Sequence, residues 1–216
     1  TQCEELWLDI LRAARGKRNH FLGTVLYNVV YEGEVPDHIE IIDGQQRLTS
    51  VSLVILALAR CLESHPRLSS DEAIDGETLI SRYLFIGKTD DGLPITKLLP
   101  SHHDAGSYDA VIRGEAGNPM SSITNNLSFF EEKMAEDDFD YELLLEGLHR
   151  LTTIFVEVDD YRDAQPIFES VNSKGVPLNV ADMVRNYLLL TESHEEQTRL
   201  FEEYWKVSQE MFAPDP

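Results

Sequence analysis

Apolar residues at Leu6, Trp7, Ile10, Leu11 and Ala14 recur at intervals of three and four, which predicts an amphipathic helix over residues 4–15. Gly16 is expected to end it, with Arg15, Lys17 and Arg18 close to the C-terminal end that favours cations. Residues 21–31 are dense in β-branched and aromatic side chains and predict a strand. A turn region at 32–37 and an apolar run ending at Ile42 predict a hairpin with a longish loop and a returning strand over 38–42. Beyond Leu48 the apolar positions fall on nearly every face (Leu48, Val51, Leu53, Val54, Ile55, Leu56, Leu58). This predicts a helix over 48–62 buried between layers.

A polar connection follows over 64–76, and 79–85 reads equally as a strand or a helix end. Residues 87–92 read as a turn and 95–99 as a short strand. Helical spacing returns over 108–113, 123–134 and 141–151, with a Gly/Asn/Pro loop at 114–119, and 152–158 reads as a strand. Asp163 is placed to cap a short helix over 163–171, because Pro166 is tolerated only in a first turn. Asn172-Ser173-Lys174-Gly175 closes that helix. Asn179, with Asp182 three residues later, is placed to cap another over 180–190, and a last helix over 195–212 carries an acidic face. The expected class is α+β, a small sheet with a large, mostly helical remainder.

Composition narrows the classes of function. The 216 residues suffice for one large domain, and no apolar run approaches the length of a membrane span. No secretory leader is visible, so a cytoplasmic location without membrane partners is expected. Cys3 and Cys61 supply neither metal-ligand spacing nor a disulfide framework and read as reduced thiols. The net charge of −21 is uneven. Residues 1–60 hold 6 Lys+Arg against 8 Asp+Glu, 61–130 hold 5 against 10, and 131–216 hold 7 against 21. So acidic a C-terminal half repels a phosphate backbone, which argues against broad nonspecific DNA binding by this chain alone. The near-neutral first part, with Arg12, Arg15, Lys17, Arg18 and Arg47, is where an anionic ligand would go. For the acidity itself, solubility or a salt-adapted host is the plain reading.

One junction carries the chemistry. The apolar run to Ile42 stops at Asp43-Gly44, and Gln45, Gln46 and Arg47 follow just before the long apolar helix. A strand that breaks into a helix presents backbone N–H groups and the positive end of the helix dipole, a setting that suits an anion. Arg47 in the first turn runs against dipole preference and is easier to explain if an anion docks beside it. The alternative is a plain Asp-Gly turn, which needs no ligand. Three further groupings read as structural. His102-His103-Asp104 lacks a third spaced metal ligand, so a polar loop is expected. Glu136, Asp137, Asp138 and Asp140 lack calcium-loop spacing and read as a solvated acidic turn. Arg12, Arg15, Lys17 and Arg18 could touch DNA phosphate but read first as a solvated helix end.

The string Asp43-Gly44-Gln45-Gln46-Arg47-Leu48-Thr49, preceded by Phe21-Leu22-Gly23, resembles the DGQQR domain. That is the N-terminal domain of GmrSD-type modification-dependent restriction systems, catalogued as domain-of-unknown-function family 262. Far downstream, Phe168-Glu169-Ser170-Val171-Asn172-Ser173-Lys174-Gly175-Val176-Pro177-Leu178, with Asp182, resembles the family's second segment. Lys97-Leu98-Leu99, Asp104 and Tyr108 between them also fit. The family's usual opening segment, Pro-x-x-Gln-Arg-x-Tyr-x-Trp, would end about where Thr1 stands, and its absence is expected to remove one wall of the site.

The resemblance implies a ParB- and sulfiredoxin-like fold in a single domain over 1–216. Residues 1–62 and 151–190 would form the phosphate-site core, 63–150 a mostly helical insertion and 191–216 an acidic terminal helix. It implies binding, and hydrolysis, of a nucleoside triphosphate in a DNA restriction or phage-defence system. The resemblance assigns cutting to a separate HNH-type nuclease domain or subunit, and with no metal-finger spacing after residue 190 none is expected within these residues. The alternative is a sensing module that binds nucleotide or DNA without turnover. Implied roles are Gly44 for close backbone approach, with the amides of 44–46 facing phosphate. Arg47 would pair a phosphate oxygen, and Gln45 or Gln46 would orient a water or ribose. Asp43 would hold a divalent cation such as Mg or polarise the attacking water, against the alternative of capping the helix. Asn172 would face the same pocket, against the alternative of ending a helix.

Overall fold

In the computed structural model the residues described are 1–65, 75–89, 91–100 and 102–158. Helix α1 spans Gln2–Gly16, beginning two residues before the periodicity suggested. Thr1 accepts from the Glu4 amide at 3.3 Å and the Glu4 side chain reaches back to the Thr1 backbone, a capping box the apolar pattern does not register. Gly16 does not end the helix. Lys17 takes the left-handed turn instead (φ 47°) and donates its N–H to the carbonyls of Ala13 and Ala14.

Strands β1 (His20–Glu32) and β2 (Val35–Asp43) form the expected antiparallel hairpin, but both are longer than predicted. The connection shrinks to Gly33-Glu34, with Gly33 at φ 69°. Pro36 suggested a loop, yet it sits inside β2 opposite Tyr31, beside a break in register. β2 lies at the edge of the three-stranded order β2-β1-β5, where a residue without an N–H is tolerated. β5 spans Leu151–Glu157, as its β-branched run predicts. His20 N–H donates to the Arg150 carbonyl and Val158 N–H to the Tyr27 carbonyl, so residue numbers climb together and β5 runs parallel to β1. The sheet is therefore mixed, and the class is α+β.

Two compact units divide the described chain. The first comprises Thr1–Gly23 and Gly44–Ile154. Its centre is α2 (Gln45–Ser64), whose Leu53, Val54, Leu56, Leu58 and Leu62 are buried, as an all-round apolar helix requires. Around it gather α1, α4 (His102–Ile112), α5 (Ser122–Met134) and α6 (Tyr141–His149). Trp7 of α1 lies against Phe130 and Phe139, ring centres 6.4 and 6.3 Å away. Each such buried side chain contributes about 1.5–3 kcal/mol. Gly147 lets α6 meet α1, since a Cβ there would fall 2.3 Å from the Ile10 carbonyl oxygen. Arg60 crosses from α2 to bond Glu131 at 2.8 Å and the Val111 carbonyl at 2.6 Å.

The ambiguous stretch 79–85 is both things in turn. Helix α3 (Gly76–Leu79), capped by Asp75, runs into a π-helical turn (Ile80–Leu84) and then into β3 (Phe85–Lys88). β3 pairs with β4 (Pro94–Thr96), which ends earlier than expected, and the exposed Lys97 beyond it donates its backbone N–H to the Leu84 carbonyl and its Nζ to the Arg82 carbonyl. α4 begins at His102, so the expected loop at His102-His103-Asp104 is a helix start, with Asp104 in its first turn where the dipole favours an acid.

The second unit comprises Thr24–Asp43 and Phe155–Pro216, described here up to residue 158. Leu26 and Val158 are buried together with Ile42 and Val156 packed on them. Asn28 donates to the Val158 carbonyl at 2.6 Å. The helices expected over 163–171, 180–190 and 195–212 lie outside the described residues, as do Asn179 and Asp182.

Candidate functional site

Asp43 is the last residue of β2, opposite Leu26, and belongs to the second unit. The chain then enters the first unit at Gly44, which is buried and stands as the N-cap of α2. Its backbone lies at φ 103°, ψ −1°, a region that side-chain-bearing residues rarely adopt, so glycine is required to turn strand into helix without a break. The N-cap position thus falls on Gly44 rather than Asp43, and no side chain of the N-cap residue caps the helix. No acid occupies the first turn of α2 either. Within that turn, then, no acid offsets the partial positive charge of the helix end, and the nearest carboxyl in the sequence is that of Asp43, just before the N-cap.

Gln45, Gln46 and Arg47 form that first turn. Gln46 is exposed, and Gln45 and Arg47 are half-buried. Arg47 does not simply extend into solvent. Its Nη1 donates to the Leu22 carbonyl on β1 at 3.1 Å. Beside it lies Gly23, at φ 111°, whose missing side chain leaves the space the guanidinium tip fills. The Gly23 carbonyl in turn accepts from Thr153 Oγ1 of β5 at 2.7 Å. Spacing alone did not single out Leu22, Gly23 or Thr153 as site residues. The available signal was a glycine inside a β-branched strand, which marks close approach of another group.

Gly44, Gln45, Gln46 and Arg47 are therefore brought together, while Asn172 and the segment from Phe168 to Leu178 lie outside the described residues. The lesser candidates take structural roles. Asp140 caps α6 by accepting from the Leu143 amide, and Glu136 pairs with Lys133 at 2.7 Å. Arg12 pairs with Asp9, whose other oxygen meets His20. Among the described residues no group of three or more His, Cys, Asp or Glu is arranged to hold a metal ion. Both cysteines are free, and burial pushes their thiols above the usual range, which leaves little reactive thiolate. No helix of the described residues is long and apolar enough to cross a membrane.

The family model for the GmrSD restriction endonuclease N-terminal domain matches residues 1–189. The chain belongs to this family. The match spans both segments that the resemblance rested on, the Asp43-to-Thr49 turn and the Phe168-to-Leu178 segment. No curated protein matches the chain. As a GmrSD N-terminal domain it is a domain of a restriction system, a setting that implies DNA and a nuclease domain or partner.

Proposed function

We propose that this GmrSD N-terminal domain binds a nucleoside triphosphate at the start of α2 and hydrolyses it to control a separate nuclease acting on modified DNA. The observation that carries the reading is Gly44. A buried glycine at φ 103°, with no side-chain cap of its own and no acid in the following turn, gives backbone amides and a helix dipole at one point. Arg47 adds a planar cation suited to phosphate oxygens. In this reading Gly44 and the amides of 44–46 cradle phosphate, and Gln45 or Gln46 orients water or ribose. Asp43, the preceding residue, holds Mg or polarises the attacking water. The role that the family resemblance implies for Asn172, a contact to the same nucleotide, belongs to this proposal as well. The ParB- and sulfiredoxin-like comparison belongs to the same proposal, since a strand, turn and helix hold phosphate in that arrangement.

The test is phosphate release from ATP, GTP, CTP and UTP with Mg, with and without DNA carrying modified bases. Turnover that vanishes in Arg47→Ala, in a protein with unchanged circular dichroism, supports hydrolysis at this site. Saturable binding without release under every condition would mean sensing without turnover. Equal affinity of Arg47→Ala and the unmodified protein by titration calorimetry would remove Arg47 from the site.

A further inference from the structure

We infer that Gly23 is a positioning residue for Arg47, its absent side chain being the seat in which the guanidinium is held. The inference rests on the proposed phosphate site but concerns an element that site does not include. Three features converge on the Leu22-Gly23 backbone. A Cβ built at Gly23 would lie 2.0 Å from Arg47 Nη1, far inside contact distance, and 3.2 Å from Cζ, which is tight. The carbonyl of the preceding residue, Leu22, accepts from that same Nη1. The carbonyl of Gly23 itself is held by Thr153 Oγ1.

The chemistry follows from the direction of these contacts. A guanidinium has a fixed planar fork of donors, so fixing Nη1 on a backbone carbonyl fixes the plane and the heading of the rest. A long side chain otherwise loses much rotamer freedom when it engages a ligand, and a seat removes that cost beforehand. The Leu22 carbonyl is part of the backbone and cannot swing away, unlike a carboxylate on a flexible stem. Thr153 adds a second anchor from β5, so the heading of Arg47 is set by two strands and a helix turn. The clash that a Gly23 side chain would create falls on the far end of a flexible arginine. The arginine would move and its cation would be misdirected, while alanine at φ 111° adds a backbone strain of its own, which the double variant separates from the effect on Arg47.

The experiment uses the full chain in four forms: unmodified, Gly23→Ala, Arg47→Ala and the double variant. Affinity is measured for ATP, GTP, CTP and UTP, and arginine side-chain nitrogen resonances are recorded by NMR. Gly23→Ala is expected to lower affinity about tenfold, roughly 1.4 kcal/mol, and to add nothing once Arg47 is already alanine. The Arg47 side-chain resonances should lose the slow exchange of a held donor. Additive losses in the double variant, or unchanged Arg47 resonances in Gly23→Ala, would overturn the role. If Arg47→Ala binds nucleotide normally the phosphate reading falls, while the resonances still decide the seat. Should Gly23→Ala fail to fold, Thr153→Val removes one anchor without altering the left-handed backbone. It is then expected to speed exchange at Arg47, and no change there would refute the seat.

Discussion

Gly147 and Gly23 both stand where a Cβ would collide, yet the two collisions differ in kind. At Gly147 the nearest obstacle is the Ile10 carbonyl oxygen at 2.3 Å, with the Ile10 Cγ2 at 2.6 Å and its backbone carbon at 2.9 Å, on a neighbouring helix. Nothing there can yield without parting α6 from α1. At Gly23 the obstacle is the tip of Arg47, which can move, and what remains is the strain of a side chain at φ 111°. The first glycine is therefore spent on holding two helices together, and the second on where one cation points. A close contact inside a domain speaks of stability when it meets backbone and of a site when it meets a mobile charged group.

Substitutions in the two regions should separate these roles. The largest effect is expected from Phe130→Ala, which empties the fully buried ring position beside Trp7. A loss of about 3–5 kcal/mol in urea unfolding is expected. Gly147→Ala comes next at about 3 kcal/mol, because overpacking against backbone cannot relax. For both variants, nucleotide affinity of the fraction that remains folded should match the unmodified protein. A selective affinity loss in folded Gly147→Ala would erase the distinction between the two glycines.

Arg47→Ala lies on the other side of the comparison. Losing a charge-assisted contact to phosphate is expected to cost about 1.5–3 kcal/mol of binding, with thermal stability nearly unchanged. Calorimetric titration alongside a melting curve reads both at once. A large drop in melting temperature with intact affinity would make Arg47 a strut, not a ligand.

The contrast also explains what the sequence made legible. The helical core was readable because its apolar spacing is a local property: Trp7, Ile10, Leu53 and Leu127 announce their faces within one turn. The strand-to-helix junction was readable because Asp43-Gly44 followed by amides and a cation is a contiguous string. The length of the hairpin was not, since Pro36 signals a loop and only an edge position lets it sit in a strand. The start of α4 was missed because His102-His103-Asp104 has no apolar rhythm to mark a helix. The seat was least legible. Gly23 and Thr153 lie far apart in the chain and meet only once β5 is laid beside β1. The family resemblance set Phe21-Leu22-Gly23 beside the string that holds Arg47, but nothing in the spacing says that the glycine and the arginine touch.

The smallest expected effect concerns acid, and it falls on the helical region. Asp75 caps α3 by accepting from the Thr78 amide at 2.6 Å, and this bond holds its carboxyl below the usual range. A group whose pKa is lower folded than unfolded adds stability above its unfolded value, and that stability disappears as pH falls through the folded value. The window therefore opens below about pH 4. Urea midpoints measured from pH 6 downwards should fall there, and Asp75→Asn should flatten part of the slope while leaving the neutral-pH midpoint almost unmoved. Because α3 packs on α2 through buried Leu79, any acid-linked loosening would begin beside the core. The Arg47 resonances should stay unchanged until global unfolding. If they broadened in step with the acid loosening of α3, before global unfolding, the seat and the helical core would be one cooperative element, and the separation drawn from Gly147 and Gly23 would fail.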